Sequence, residues 1–128
     1  MQVKQFPITA TNSSLQKQQT DIINAFLRQN HFLGFEYSVV ARTNPEGQQL
    51  VVGQFILKYE ARPPRLKEIV QIVQFPLRAE DPSLENSLNE FLSDVPVRDV
   101  KYDAVRVNNA ADKEIVQGLA LVVYGKSF

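Results

Sequence analysis

The chain has 128 residues, 44% hydrophobic and 22% charged, with 14 basic side chains against 14 acidic ones. This is the profile of a folded globular chain, long enough for one ordinary domain or two very small ones. A zero net charge argues against a generic nucleic-acid binder, the lack of Cys removes disulfides and thiolate chemistry, and a single His removes paired-histidine metal motifs.

No run approaches the length of a membrane span. The opening MQVKQFP lacks the basic-then-apolar layout of a signal peptide, so a cytoplasmic protein without a membrane partner is expected. Residues 1–10 read as a short strand. Its Pro7 has no N–H to give to a ladder, so this strand is expected to lie at a sheet edge or to end at that point. A helix follows, where Ser13 with Gln16 fits a capping box and Leu15, Ile22, Ile23, Phe26 and Leu27 fall on one face. Phe35, Tyr37 and Val39 then alternate with Glu36 and Ser38, the period of a strand with one buried face. Asn44, Pro45 and Gly47 stand where a type I turn favours them, and a further strand covers 50–59.

Residues 61–68 carry a Pro-Pro pair among charges, which is linker chemistry. The pattern then starts again. Residues 70–79 form a strand containing Pro76. Asp81 suits a helix N-cap, Pro82 suits the first helical position, and Leu84, Leu88, Phe91 and Leu92 form the apolar stripe. Val100, Tyr102 and Ala104 alternate with Lys101 and Asp103. A turn spans 108–112, and a last strand covers 115–124. Its run LALVV at 119–123 is apolar on both faces, so this strand belongs in the middle of a sheet.

The restart is an internal repeat. MQVKQFPITA at 1–10 matches VQIVQFPLRA at 70–79 in five positions of ten, at an offset of 69. From 19 to 60 the offset is 65, and nine positions of 42 are identical, among them Asn24/Asn89, Phe26/Phe91, Tyr37/Tyr102, Gly53/Gly118 and Tyr59/Tyr124. The expected fold is α+β: two tandem βαββ repeats, 1–60 and 69–128, joined by a linker at 61–68. Each sheet is mostly antiparallel with one helix, in strand order first–third–second. Two short copies that shield each other's open face predict a pseudo-two-fold dimer in one chain, with Phe26, Leu27, Phe91 and Leu92 buried.

Few residues suggest chemistry. His31 reads either as a general base or as a cation-leaning residue at a helix C-terminal end; no acid–base partner stands beside it in the sequence. Asn24 and Asn89 read as ligand contacts, strand-edge caps or structural bonds to backbone. The four Tyr read as core residues with a polar tip, against a stacking role. On the alternation, Tyr37 and Tyr102 share the buried face. Gly53 and Gly118 read as room for a close backbone approach, by a ligand or by the fold itself, without any phosphate-loop neighbourhood. Asp81, Glu85, Asp99, Asp103 and Asp112 show no metal spacing. Arg62, Arg65 and Lys67 cluster in the linker, with Lys58 and Arg42 expected close.

The second copy, with VQFPL, LENSLNEFL, VRDVKYDAV and LALVVYG, resembles the small Cse-type sporulation proteins of endospore-forming bacteria. Leu84, Glu85, Asn89, Phe91, Leu92, Val100, Lys101, Tyr102 and Tyr124 carry the likeness. The first copy keeps Asn24, Phe26, Leu27, Tyr37 and Tyr59, with Glu36 in place of the lysine. The resemblance implies a setting in such hosts or their phages and no catalytic residue.

A non-catalytic binding protein without a cofactor is therefore expected. In one form it sequesters a small anionic, nucleotide-type ligand, as a phage counter-defence protein would. Arg62, Arg65, Arg42 and Arg106 are the candidate ligand-binding residues because a guanidinium grips phosphate with two parallel bonds. In the alternative form it is a structural or sporulation-associated module that binds a host protein through a sheet face. Self-association into a homo-oligomer is compatible with both, and nucleic acid is not an expected partner.

Overall fold

The computed structural model describes residues 1–9, 13–78, 81–108, 111 and 113–125. The Ser13 side chain of the expected capping box and Asn109, Ala110 and Asp112 of the second turn lie outside the described residues. The elements run β1 (Gln2–Thr9), α1 (Ser13–Leu27), β2 (His31–Thr43), β3 (Gln49–Glu60), a 3-10 turn (Leu66–Glu68), β4 (Val70–Arg78), α2 (Pro82–Asp94), β5 (Val97–Asn108) and β6 (Glu114–Gly125). Both sheets are antiparallel, ordered β1-β3-β2 and β4-β6-β5. Pro7 and Pro76 thus lie on edge strands, where a missing N–H costs no ladder bond.

Local chemistry explains the breaks between elements. The Asp81 carboxylate accepts from the Ser83 amide at 3.1 Å and Pro82 opens α2, so the helix start is satisfied. At the first hairpin the Gly47 amide donates to the Asn44 carbonyl at 3.0 Å, and Gly47 has φ +80°. Only a residue without Cβ takes that angle freely.

Each sheet has a face that carries its own helix and a back face. In the first half, Phe6, Ile8, Phe35, Val39, Val51, Phe55 and Leu57 line the helix face with Ile23 and Leu27 of α1. The same core takes Val70, Ile72, Val107, Leu119, Leu121 and Val123 from the second half. These belong to the second sheet's back face, because Ala120 and Val122, one step out of phase on β6, pack with Leu88, Phe91 and Leu92 of α2. β6 is covered on both faces and central, as its LALVV run requires.

The relation between the halves differs from the expected two-fold. A two-fold brings like faces together, whereas here the first helix face meets the second back face, a heterologous contact. Two burial expectations change with it. Tyr102 is 55% exposed although its counterpart Tyr37 is half-buried, because among the described residues nothing covers that part of the second helix face. Phe26, Phe91 and Leu92 are half-buried; of the four stripe residues only Leu27 is fully enclosed. The largest enclosed rings are Phe35 and Phe55, stacked at 5.2 Å.

Candidate functional site

The expected basic cluster does not assemble. Arg62 donates from Nη1 and Nη2 to the two carboxylate oxygens of Glu68, both at 3.1 Å, and from Nε to Glu60 at 3.1 Å. The Arg65 amide donates to the Glu68 carboxylate at 2.8 Å, and His31 Nε2 stands 3.3 Å from that carboxylate. The guanidinium's donors are thus committed to a latch that ties the end of β3 to the start of β4. His31 belongs to the latch, and its Nδ1 is buried without a hydrogen-bond partner among the described residues. The bidentate Arg62 contact and the Arg65 amide hold the Glu68 carboxyl down, from 4.5 to about 2. A depressed carboxyl stabilises the fold fully above its unfolded value and less as pH falls through its folded value. The melting difference between wild type and Glu68→Gln is therefore expected to be full above about pH 4.5 and to fade towards pH 2. A thermal melt series over that range checks it.

Arg42 and Arg106 lie at the far end of the sheets. Arg42 stands eleven positions after His31 along β2, about 35 Å of extended chain. Arg106 stands 3.5 Å from Glu114 and is largely exposed. Arg42 lines two adjoining shallow grooves of about 500 and 510 Å³. The larger is formed by Pro7, Thr9, Ser38, Val40, Val52 and Gln54, on the back face of the first sheet. Arg42 therefore shares neither groove with Arg62 or Arg65.

The recurring residues have structural work. Asn24 reaches from α1 to the outer edge of β4. Its Oδ1 accepts from the Ile72 amide at 2.8 Å and its Nδ2 donates to the Ile72 carbonyl at 3.1 Å. One side chain thus imitates a strand residue. Gln74 Nε2 donates to Thr20 Oγ1 beside it at 2.9 Å. The Tyr37 hydroxyl donates to the Lys101 carbonyl at 2.9 Å and contacts that of Leu119; burial pushes its ionisation above the ordinary value. Asp103 accepts from the Val39 amide at 2.9 Å, and Lys101 pairs with Glu36 at 3.0 Å. Tyr59 and Tyr124 cap the two helix stripes, each ring edge-on to Phe26 or Phe91, each hydroxyl bonded to Gln2 or Gln71. Gly53 and Gly118 face the backbone of the neighbouring strand in their own sheet.

Asn89, the counterpart of Asn24, is exposed. Asn24→Ala leaves the Ile72 amide and carbonyl without their partner and is expected to cost about 1–3 kcal/mol. Asn89→Ala is expected to stay within about 0.5 kcal/mol. Urea midpoints of the two variants measure the difference.

The open back face was missed in the sequence, yet it left a signal. At equivalent positions the first copy has Arg42, Gln54 and Lys58 where the second has Val107, Leu119 and Val123. Only the second set is core. Among the described residues no group of three or more His, Asp or Glu could hold a metal, and no helix is long and apolar enough to cross a membrane. Compared with family models, curated proteins and solved structures, the chain matches none.

Proposed function

We propose that this chain is a non-catalytic binding protein whose working surface is the back face of the first sheet. The observation that carries this reading is the contrast between equivalent faces. In the second half the face is sealed into the core; in the first it presents Val40, 56% exposed, with Val52 and Ile56 half-buried beside it. Val3, 61% exposed, extends it onto β1, an edge strand with no further strand beside it among the described residues. Apolar centres ringed by Arg and amide side chains are the make-up of protein-binding patches.

A second reading is favoured by Arg42. In its groove it stands near Thr9, Ser38 and Gln54, and a guanidinium with such neighbours suits a small anion of nucleotide type. Two variants separate the readings. A bound protein released by Val40→Asp but kept by Leu66→Asp supports the protein-binding surface. A nucleotide that raises the melting temperature of wild type and not of Arg42→Ala, with no protein bound, overturns it in favour of the anion.

A further inference from the structure

We infer that copies of this chain dock head to tail, the helix face of one copy's second sheet receiving the back face of the next copy's first sheet. The inference rests on the reading of the back face as a binding surface and names its partner.

The template lies inside the chain. The first helix face already holds the second back face, through Phe35, Tyr37, Val39 and Val51 on one side and Ile72, Leu119, Leu121 and Val123 on the other. Each half repeats both faces, so one contact within the chain leaves one of each kind unused. The unused helix face presents Val100, Tyr102 and Val116, the counterparts of Phe35, Tyr37 and Val51, all exposed. The unused back face presents Val3, Val40 and Ile56, the counterparts of Ile72, Val105 and Leu121. Isolated exposed apolar residues need no explanation, but two sets at the matching positions of a contact the fold already makes do.

The polar pattern follows the same register. Asn24 holds the Ile72 amide and carbonyl on an edge strand; Asn89 would so hold the partner's Val3, on the edge strand β1. Thr20 receives Gln74; Glu85, in the position of Thr20, would receive the partner's Gln5 as a charge-assisted bond. The Tyr37 hydroxyl bonds carbonyls of β5 and β6; the Tyr102 hydroxyl would meet those of the partner's Glu36 and the partner's Gln54.

Charge assists the same docking. Residues 1–60 carry five basic and four acidic side chains, a net of +1; residues 69–128 carry six and nine, a net of −3. Head-to-tail contact sets the acidic half against the basic one, and like halves apart. The interface is more polar than its template, since Gln54 and Lys58 replace Leu119 and Val123. Association is therefore weak, concentration-dependent and weakened by salt. A heterologous contact does not satisfy itself in a dimer, so chains add until a ring closes or a filament grows.

The test uses sedimentation of the full chain. Wild type is expected to gain mass with rising concentration, from micromolar to near-millimolar, and to lose that gain in high salt. Tyr102→Glu spoils only the receiving face and Val40→Glu only the inserted one; both residues are exposed, and unchanged circular dichroism and melting verify the folds. Each variant alone is expected to stay monomeric. Mixed, they are expected to form a one-to-one dimer that grows no further, because each supplies the face the other lacks. A monomeric wild type at every concentration, a mixture that does not pair, or dimers formed by either variant alone overturns the inference. Should wild type stay monomeric while a protein partner is still released by Val40→Asp, self-docking fails and the binding surface stands.

Discussion

Phe55→Ala is expected to remove about 3–5 kcal/mol of folding free energy, among the largest losses of any side-chain truncation in the described core. The ring is fully enclosed on the central strand β3, stacked on Phe35 at 5.2 Å and tilted against Phe6 at 6.2 Å. Neighbours on two sheets and a helix hold the surrounding space open, so the vacancy cannot collapse cheaply. Because that core joins both halves, a denaturant titration should show one transition moving to lower urea with both sheets lost together. The same truncation at Phe91, half-buried on α2, is expected to cost less. An equal loss at the two positions would mean that the core between the halves carries no more weight than the smaller one.

Gly53→Ala is expected to be at least as damaging, by about 3 kcal/mol or more, or to yield no folded protein. A Cβ at this position would lie 2.0 Å from the Ser38 carbonyl oxygen and 3.0 Å from Val39 Cα, both backbone atoms of the paired strand. No rotamer change relieves such a contact; β2 itself would have to move. Gly118→Ala meets the Asp103 oxygen at 2.7 Å and should behave alike. Gly34→Ala is the control, with its nearest neighbour, Lys58 Cδ, at 3.9 Å. Circular dichroism and melting of the three variants check the order, and a normally folded Gly53→Ala would show that β2 is not held against β3 there.

Strand order, edge prolines, the α2 cap and the central place of β6 were legible because each is dictated by a local rule. An alternating strand announces a buried face, a proline announces an edge, and an apolar run announces cover on both sides. Alternation does not say what does the covering. Tyr37 and Tyr102 follow the same pattern, yet one lies under the second sheet and the other faces water. The distinction resides in the opposite surface, where Leu119, Leu121 and Val123 answer to Gln54, Ile56 and Lys58. The linker arginines misled for a related reason. Charge clustered along the chain says nothing of which acid will consume it, and Glu68 does so six residues after Arg62.

The place of β6 also governs how the molecule comes to be folded. It is the last strand among the described residues, yet it is the middle strand of its sheet and fills the core of the first half as well. The Tyr37 hydroxyl waits for a carbonyl 82 residues further on, and the Asn24 amide for a strand edge 48 residues further on. Such separations give a high contact order, and loop closure must be met before those contacts reward it. The first half therefore emerges from synthesis with Phe35, Phe55 and Leu57 covered only in part, by α1 and β1, and the rest of that face stays open until β6 arrives. Refolding should accordingly run on the slow side for a chain of this size, milliseconds to seconds by order of magnitude, with β1–β3 gaining hydrogen-exchange protection only in step with β6.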